Sequence, residues 1–312
     1  MLTRQLSLPS LRRALDAASL VYVGFLLLLT FAFSFKLEGW LAAAVSLLIA
    51  GALYMAAAAA VRRLPSGFPA AALHISANMI LFSFLFKITG QYQHLFVSGW
   101  LDSGVIAWEK SLLGVDLSIF LQRVTHPALT EWMMFAYVIY IPMLPFVALA
   151  CYWSAGGRAA TDYLLSLSLA YIVCYLGFIA YPVAGPLCHY PERFAVPLDG
   201  GMFTWCGEWI RNNMHYPGGC LPSPHCAAGT VMMIMLYRYH RKLFGVALPV
   251  LLTIYAATVY GRYHYLSDSV SGILVAVLAV QLSPVLVLGL DRLTARARQL
   301  FERGPEPGSV PE

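Results

Sequence analysis

An all-α polytopic membrane protein with about eight transmembrane helices is the fold class this 312-residue sequence predicts, on three observations. First, 60% of the residues are apolar and only 11% charged, with a mean hydropathy of +0.70, whereas soluble domains run about 45–50% apolar and about 25% charged. Second, eight windows carry no Asp, Glu, Lys or Arg for 19 residues or more: 17–35, 39–61, 64–86, 132–157, 163–191, 212–237, 243–261 and 269–290. A helix needs about 20 apolar residues to cross a bilayer. Third, with the N-terminus placed in the cytoplasm, 13 Lys and Arg fall on the inner side and 7 on the outer, the bias that sets membrane orientation. A soluble enzyme and a disordered regulator are excluded. So is a nucleic-acid partner, because a net charge of +5 spread over this much hydrocarbon is not a basic patch.

Taken in order, residues 1–16 form a cytoplasmic N-terminal segment and 17–88 three membrane helices. The first apolar run is longer than the about 7–15 residues of a signal-peptide core and lacks a clear small-x-small cleavage site, so it reads as a retained span. The polar stretch 88–127 contains a charge-free gap, 88–101, too short to cross, and reads as interfacial helix. The fourth and fifth spans follow. The loop 184–222, rich in Gly, Pro, Trp and Tyr, is too long for a mere connector and is a candidate lid. The sixth helix starts near Ser223, since window 212–237 opens on polar residues, and the seventh and eighth complete a membrane domain over 89–290. Residues 291–312 form a basic cytoplasmic tail ending in Pro, Gly and Glu. Both termini are therefore expected in the cytoplasm.

The six cysteines divide by position. Cys151 and Cys174 lie within spans and read as small buried residues. Cys188, Cys206 and Cys220 occupy the outer loop, where the compartment permits a disulfide, and sequence does not fix the pairing. No CxxC pair points to a metal, and none is expected.

Three short stretches lie at the outer ends of spans: Tyr181-Pro182-Val183-Ala184-Gly185-Pro186, Pro222-Ser223-Pro224-His225, and Thr258 to Asp268. Ionisable groups at such depths mark function. Ser223 followed by Pro224 is a helix start whose exposed N–H groups suit a phosphate, and His225 sits in its first turn. His264 and Asp268 are four apart, so the carboxylate can orient the imidazole and leave the other nitrogen to act as nucleophile or base. Arg262 offers a permanent fork for phosphoryl oxygens. Spacing alone leaves the roles of the two histidines open.

These motifs resemble the type-2 phosphatidic acid phosphatase (PAP2) superfamily, whose second motif reads Pro-Ser-x-His and whose third ends His-x-x-x-Asp. The form Thr-Val-Tyr-x-Arg-Tyr-His-Tyr-x-x-Asp, the segment 102–140 and the Pro-Val-Ala-Gly-Pro turn resemble the branch containing inositol phosphorylceramide synthases. The resemblance covers roughly 100–285. It implies a phosphohistidine on His264, His225 as proton donor and then base, Asp268 as the orienting carboxylate, and phosphate held by Arg262, Ser223, Gly185 and Pro186 without a cofactor. Two departures matter. The first motif of the family carries a Lys and then an Arg before Pro, whereas here Gly185-Pro186 is followed by Leu187 with no basic residue just upstream. Thr258 stands where the third motif often has Arg. Lys87, Arg193 and Arg211 are outer cations that could line the cavity, as could His189 and His215.

The resemblance and the depleted charge together imply an integral membrane lipid phosphotransferase. It would move a phosphate-containing head group from a lipid substrate to a lipid acceptor, at a site on the extracytoplasmic face. The alternative is a lipid phosphate phosphatase, with water as acceptor; a non-catalytic lipid-binding protein is a further alternative. His74, His94 and His126 read as structural, the methionines within 231–235 as ordinary span packing, and Asp102, Glu109 and Asp116 are given no chemistry.

Overall fold

The computed structural model describes residues 6–214 and 216–302, and all regular structure among them is helical. His215, Arg4 and Arg303 lie outside the described residues.

Helices α1 (Leu8–Ala32), α2 (Trp40–Arg63) and α3 (Phe68–Thr89) match the first three charge-free windows. The Ser7 hydroxyl caps α1, accepting from the Ser10 amide at 3.2 Å. The polar stretch that follows folds into short helices α4 (Asp102–Leu113) and α5 (Leu117–Phe120). Helix α6 (Pro127–Ala180) holds two windows in one 54-residue element, broken at Ala155 and Gly156. Gly156 has φ +73°, a conformation that favours glycine and interrupts the helical ladder. The fifth window overshoots the helix, which ends at Ala180 because Pro182 and the turn after it are charge-free but not helical.

The loop 184–222 contains α7 (Pro186–His189) and α8 (Met202–Met214). Then come α9 (Pro224–Tyr239), α10 (Arg241–Tyr260) and α11 (Leu266–Glu302). Six helices are long and apolar enough to span a membrane among the described residues. Two facts reconcile six with the expected eight: α6 contributes two segments, and α9, at 16 residues, falls short of the length.

Helix α6 is the hub, packing against α1, α3, α8, α9, α10 and α11. Between the helices, buried polar groups pair: Asn78 donates to Ser168 at 3.1 Å, and Tyr140 and Tyr171 share a 2.6 Å hydrogen bond. Such bonds contribute about 0.6–2 kcal/mol each in hydrocarbon. The outer surface of the bundle carries Val21, Leu28, Leu53, Ile80 and Leu278, all more than half exposed. Apolar exposure on that scale fits lipid rather than water as the surrounding solvent.

One end of the bundle gathers ionic contacts. Arg13 meets Asp291 at 3.1 Å, Arg62 meets Asp16 at 3.1 Å, and Arg238 meets buried Asp162 at 2.9 Å. His74 joins Asp16 at 3.2 Å, His126 caps α6, and His94 packs edge-on against Trp100. The three chemically suggestive stretches lie together at the opposite end.

Candidate active site

Each stretch is positioned by a local rule. Ser223 caps α9, its hydroxyl accepting from the Cys226 amide at 3.4 Å, and Pro224 fills the first helical position. The Ser223 amide donates to the Asp268 carbonyl at 2.9 Å, tying the second stretch to the third. This close approach requires Gly272, because a Cβ there would strike the Ser223 carbonyl. His225 lies against two rings, stacked on Tyr137 at 4.7 Å and tilted to Tyr140 at 4.8 Å between centroids.

After α10 the backbone turns sharply. The Tyr263 and His264 amides both donate to the Thr258 carbonyl at 3.1 Å, and Arg262 takes φ +66°. Helix α11 then starts with its first amides satisfied by carboxylates: Asp268 Oδ2 accepts from Tyr265 at 2.9 Å, and Glu109 Oε1 accepts from Ser267 at 2.6 Å. Burial pushes the Glu109 carboxyl above its ordinary range.

The three candidate reacting groups fall in a row. Asp268 Oδ2 lies 3.4 Å from His264 Nδ1, at ion-pair distance though without hydrogen-bond geometry. His264 Nε2 lies 3.4 Å from His225 Nδ1. His264 is 3% exposed and Asp268 is fully buried. The Cys220 thiol, His264 and Asp268 place one donor atom each within 4.8 Å of one another, a set that shares its histidine and carboxylate with this row.

The first stretch is organised by a residue to which sequence reasoning gives no chemistry. Asp102, fully buried, accepts from the amides of Ala184 at 2.8 Å and Gly185 at 2.9 Å, and from the Tyr265 hydroxyl at 2.9 Å. It locks the Pro182–Gly185 turn to the residue following His264. Gly185 (φ +85°) must be glycine here, since a Cβ would come within 2.6 Å of the Tyr263 carbonyl. Of the two residues expected to bind phosphate here, Gly185 has its amide committed to Asp102, and Pro186 has no N–H to offer. The available signal was spacing, because Asp102 and Glu109 are seven apart and share one face of α4.

The remaining candidates separate into two groups. Arg262 donates to the Val196 carbonyl and lies over the Phe194 ring at 4.3 Å, so the loop 184–222 engages its guanidinium. Desolvation lowers its pKa from the ordinary arginine value. Arg193 pairs with Asp116 at 3.3 Å and covers Tyr190, against whose ring His189 also packs. Neither Arg193 nor His189 lines the cavity. Lys87 and Arg211 do: both border a cavity of about 420 Å³ that also reaches Tyr137, His225 and Tyr263.

Helix α8 forms one side of this cavity. It is docked on α6 by Glu131, which accepts from the amides of Gly201, Phe203 and Thr204 at 2.7, 2.7 and 3.1 Å. The disulfide expected among Cys188, Cys206 and Cys220 is not formed. Cys220 is buried and its thiol donates to the Tyr263 carbonyl at 3.4 Å, whereas Cys188 is exposed and Cys206 sits on α8.

A family model for the PAP2 superfamily matches residues 103–282, more than half of the chain. The chain belongs to the PAP2 superfamily. No curated protein and no solved structure matches it. The PAP2 region holds His225, His264 and Asp268, while α1 to α3, with Lys87, precede it. Membership in the superfamily suggests phosphatase- or phosphotransferase-type chemistry in a multi-pass membrane protein.

Proposed function

We propose that the protein is a lipid phosphotransferase, moving a phosphate-bearing head group between lipids through a phosphohistidine on His264. The row Asp268–His264–His225 is the observation that carries this reading. With Nδ1 facing a carboxylate, the lone pair of His264 is at Nε2, directed toward His225. The facing nitrogens are 3.4 Å apart, so the two imidazoles must part for the donor phosphate to reach His264 Nε2. Nε2 attacks phosphorus, the bond to the departing lipid oxygen breaks, and His225 delivers a proton to that oxygen. An acceptor hydroxyl then attacks the phosphohistidine, loses its proton to His225, and releases His264. Asp268 orients His264 and steadies its positive charge in both steps. Ser223 and the start of α9 face the transferred group, and Arg262 reaches it by exchanging the Val196 carbonyl for a phosphoryl oxygen.

The substrate class follows from charge. No basic residue lies just upstream of Pro186, and Thr258 stands where the third motif often has Arg; its hydroxyl bonds to the Tyr255 carbonyl at 2.9 Å and to Ser269 at 3.1 Å. At an effective dielectric of about 20, a cation near 4 Å contributes roughly 4 kcal/mol before desolvation. A site short of cations suits a monoanionic phosphodiester better than a dianionic monoester. The asymmetry of Lys and Arg, 13 against 7, supports cytoplasmic termini and a site on the extracytoplasmic face.

The test is turnover by purified protein in liposomes. A glycerophospholipid donor is offered with a ceramide-like or diacylglycerol acceptor, and phosphatidic acid and a polyprenyl phosphate are offered separately. Acceptor-dependent lipid product, formed faster than phosphate is released from either monoester, is the expected result. Rapid phosphate release with no acceptor-dependent product would assign the protein to lipid phosphate hydrolysis instead.

A further inference from the structure

Part of the cavity wall lies outside the PAP2 region. Met79, Phe82 and Phe86 come from α3, which precedes residue 103, and they line the cavity together with Ile141, Leu144 and Leu167 of α6. Of the polar groups in this wall, Tyr140 pairs with Tyr171, Asn78 with Ser168 and Tyr175 with the Phe82 carbonyl, so the surface they share with these side chains is largely apolar. The lining also holds two cations, Lys87 at the end of α3 and Arg211 on α8. Arg211 pairs with Glu208 of its own helix, yet its Nε is buried without a hydrogen-bond partner. A buried donor lacking an acceptor is costly, and an oxyanion at this end of the cavity would satisfy it.

We propose that this cavity binds one hydrocarbon chain of a phosphodiester lipid, with Arg211 and Lys87 holding its phosphate beside His225. The inference rests on the phosphotransfer reading and deepens it. Lys87 comes from a helix preceding the PAP2 region and Arg211 from the helix packed over α6; because Glu208 already offsets the charge of Arg211, together they add one net positive charge, not the two that the first motif of the family carries. The chain length accepted is then set by α3, through Met79 and Phe82, rather than by the catalytic motifs.

Lysophosphatidylglycerol, a single-chain monoanionic diester, is the probe. Its retention by the purified full-length protein is measured by native mass spectrometry, and KM and kcat for the diester donor are measured in parallel. Arg211→Ala and Lys87→Ala should each weaken retention and raise KM tenfold or more, with kcat changed less than threefold. Arg211→Lys should recover part of the affinity. Met79→Trp and Ser83→Phe, two independent ways to fill the cavity, should each displace the lysolipid. If wild type binds the probe in this pattern but turns over no donor, the phosphotransfer reading fails and the binding site stands. If wild type turns over donor while all the variants keep lysolipid retention and KM unchanged, the site assignment is overturned. Wild type that retains no lysolipid at all would overturn it equally.

Discussion

Replacing His264 by alanine should abolish turnover, by at least about 10⁴-fold, because removing a covalent nucleophile removes the whole reaction path rather than one interaction within it. The imidazole is buried between Asp268 and His225. His225→Ala should also stop net turnover, but for a different reason. The phosphoenzyme still forms when the departing oxygen needs no proton, and then persists because no base activates the acceptor. Asp268→Asn should leave a residue of activity, since it keeps an acceptor for the Tyr265 amide while losing the charge that supports His264. Rates measured with an activated and an ordinary diester separate the three cases. Equal rates in wild type and His264→Ala would remove the nucleophile assignment.

Asp102→Ala should be the most damaging substitution for stability at the site, although Asp102 is not expected to touch substrate. It leaves the amides of Ala184 and Gly185 and the Tyr265 hydroxyl without their shared acceptor in a fully buried position. Each unpaired buried donor costs about 1–3 kcal/mol, so the total is several kcal/mol against a folding free energy of about 5–15 kcal/mol. The thermal midpoint in detergent should fall by on the order of 10 °C. Asp102→Asn, which keeps a carbonyl oxygen, should fall by less. A midpoint for Asp102→Ala within about 2 °C of wild type would show that the turn is held by other contacts.

The parts of this molecule that can be read from its sequence are those fixed by composition and local spacing. Charge-free windows locate α1 to α3, α10 and both halves of α6, because hydrocarbon excludes charge. Ser-Pro before His225 and the four-residue spacing of His264 and Asp268 are local as well, and the structure brings the two histidines within 3.4 Å. Long-range pairing is hidden. Two of the three partners of Asp102 are backbone amides about eighty positions away, and backbone amides leave no mark in a sequence. Arg262 reads as a phosphate ligand from its neighbours in sequence, but its positive φ and the packing of Phe194 and Val196 engage it with the loop 184–222. Lys87 and Arg211 are recognisable in the sequence only as cations bordering charge-free windows. Their arrival at one cavity depends on how α3 and α8 pack around α6.

The central claim is a covalent phosphohistidine at one named nitrogen. Purified protein is mixed with a glycerophospholipid carrying a labelled phosphate, in the absence of acceptor, and quenched in alkali, where a phosphoramidate survives. Peptide mapping by mass spectrometry then locates the modification. The account predicts label on His264 Nε2, lost in His264→Ala, retained in His225→Ala with a good leaving group, and chased from the wild type by a lipid alcohol. Label on His225 instead, or turnover to a transferred lipid product with no labelled histidine at any time point, would contradict it.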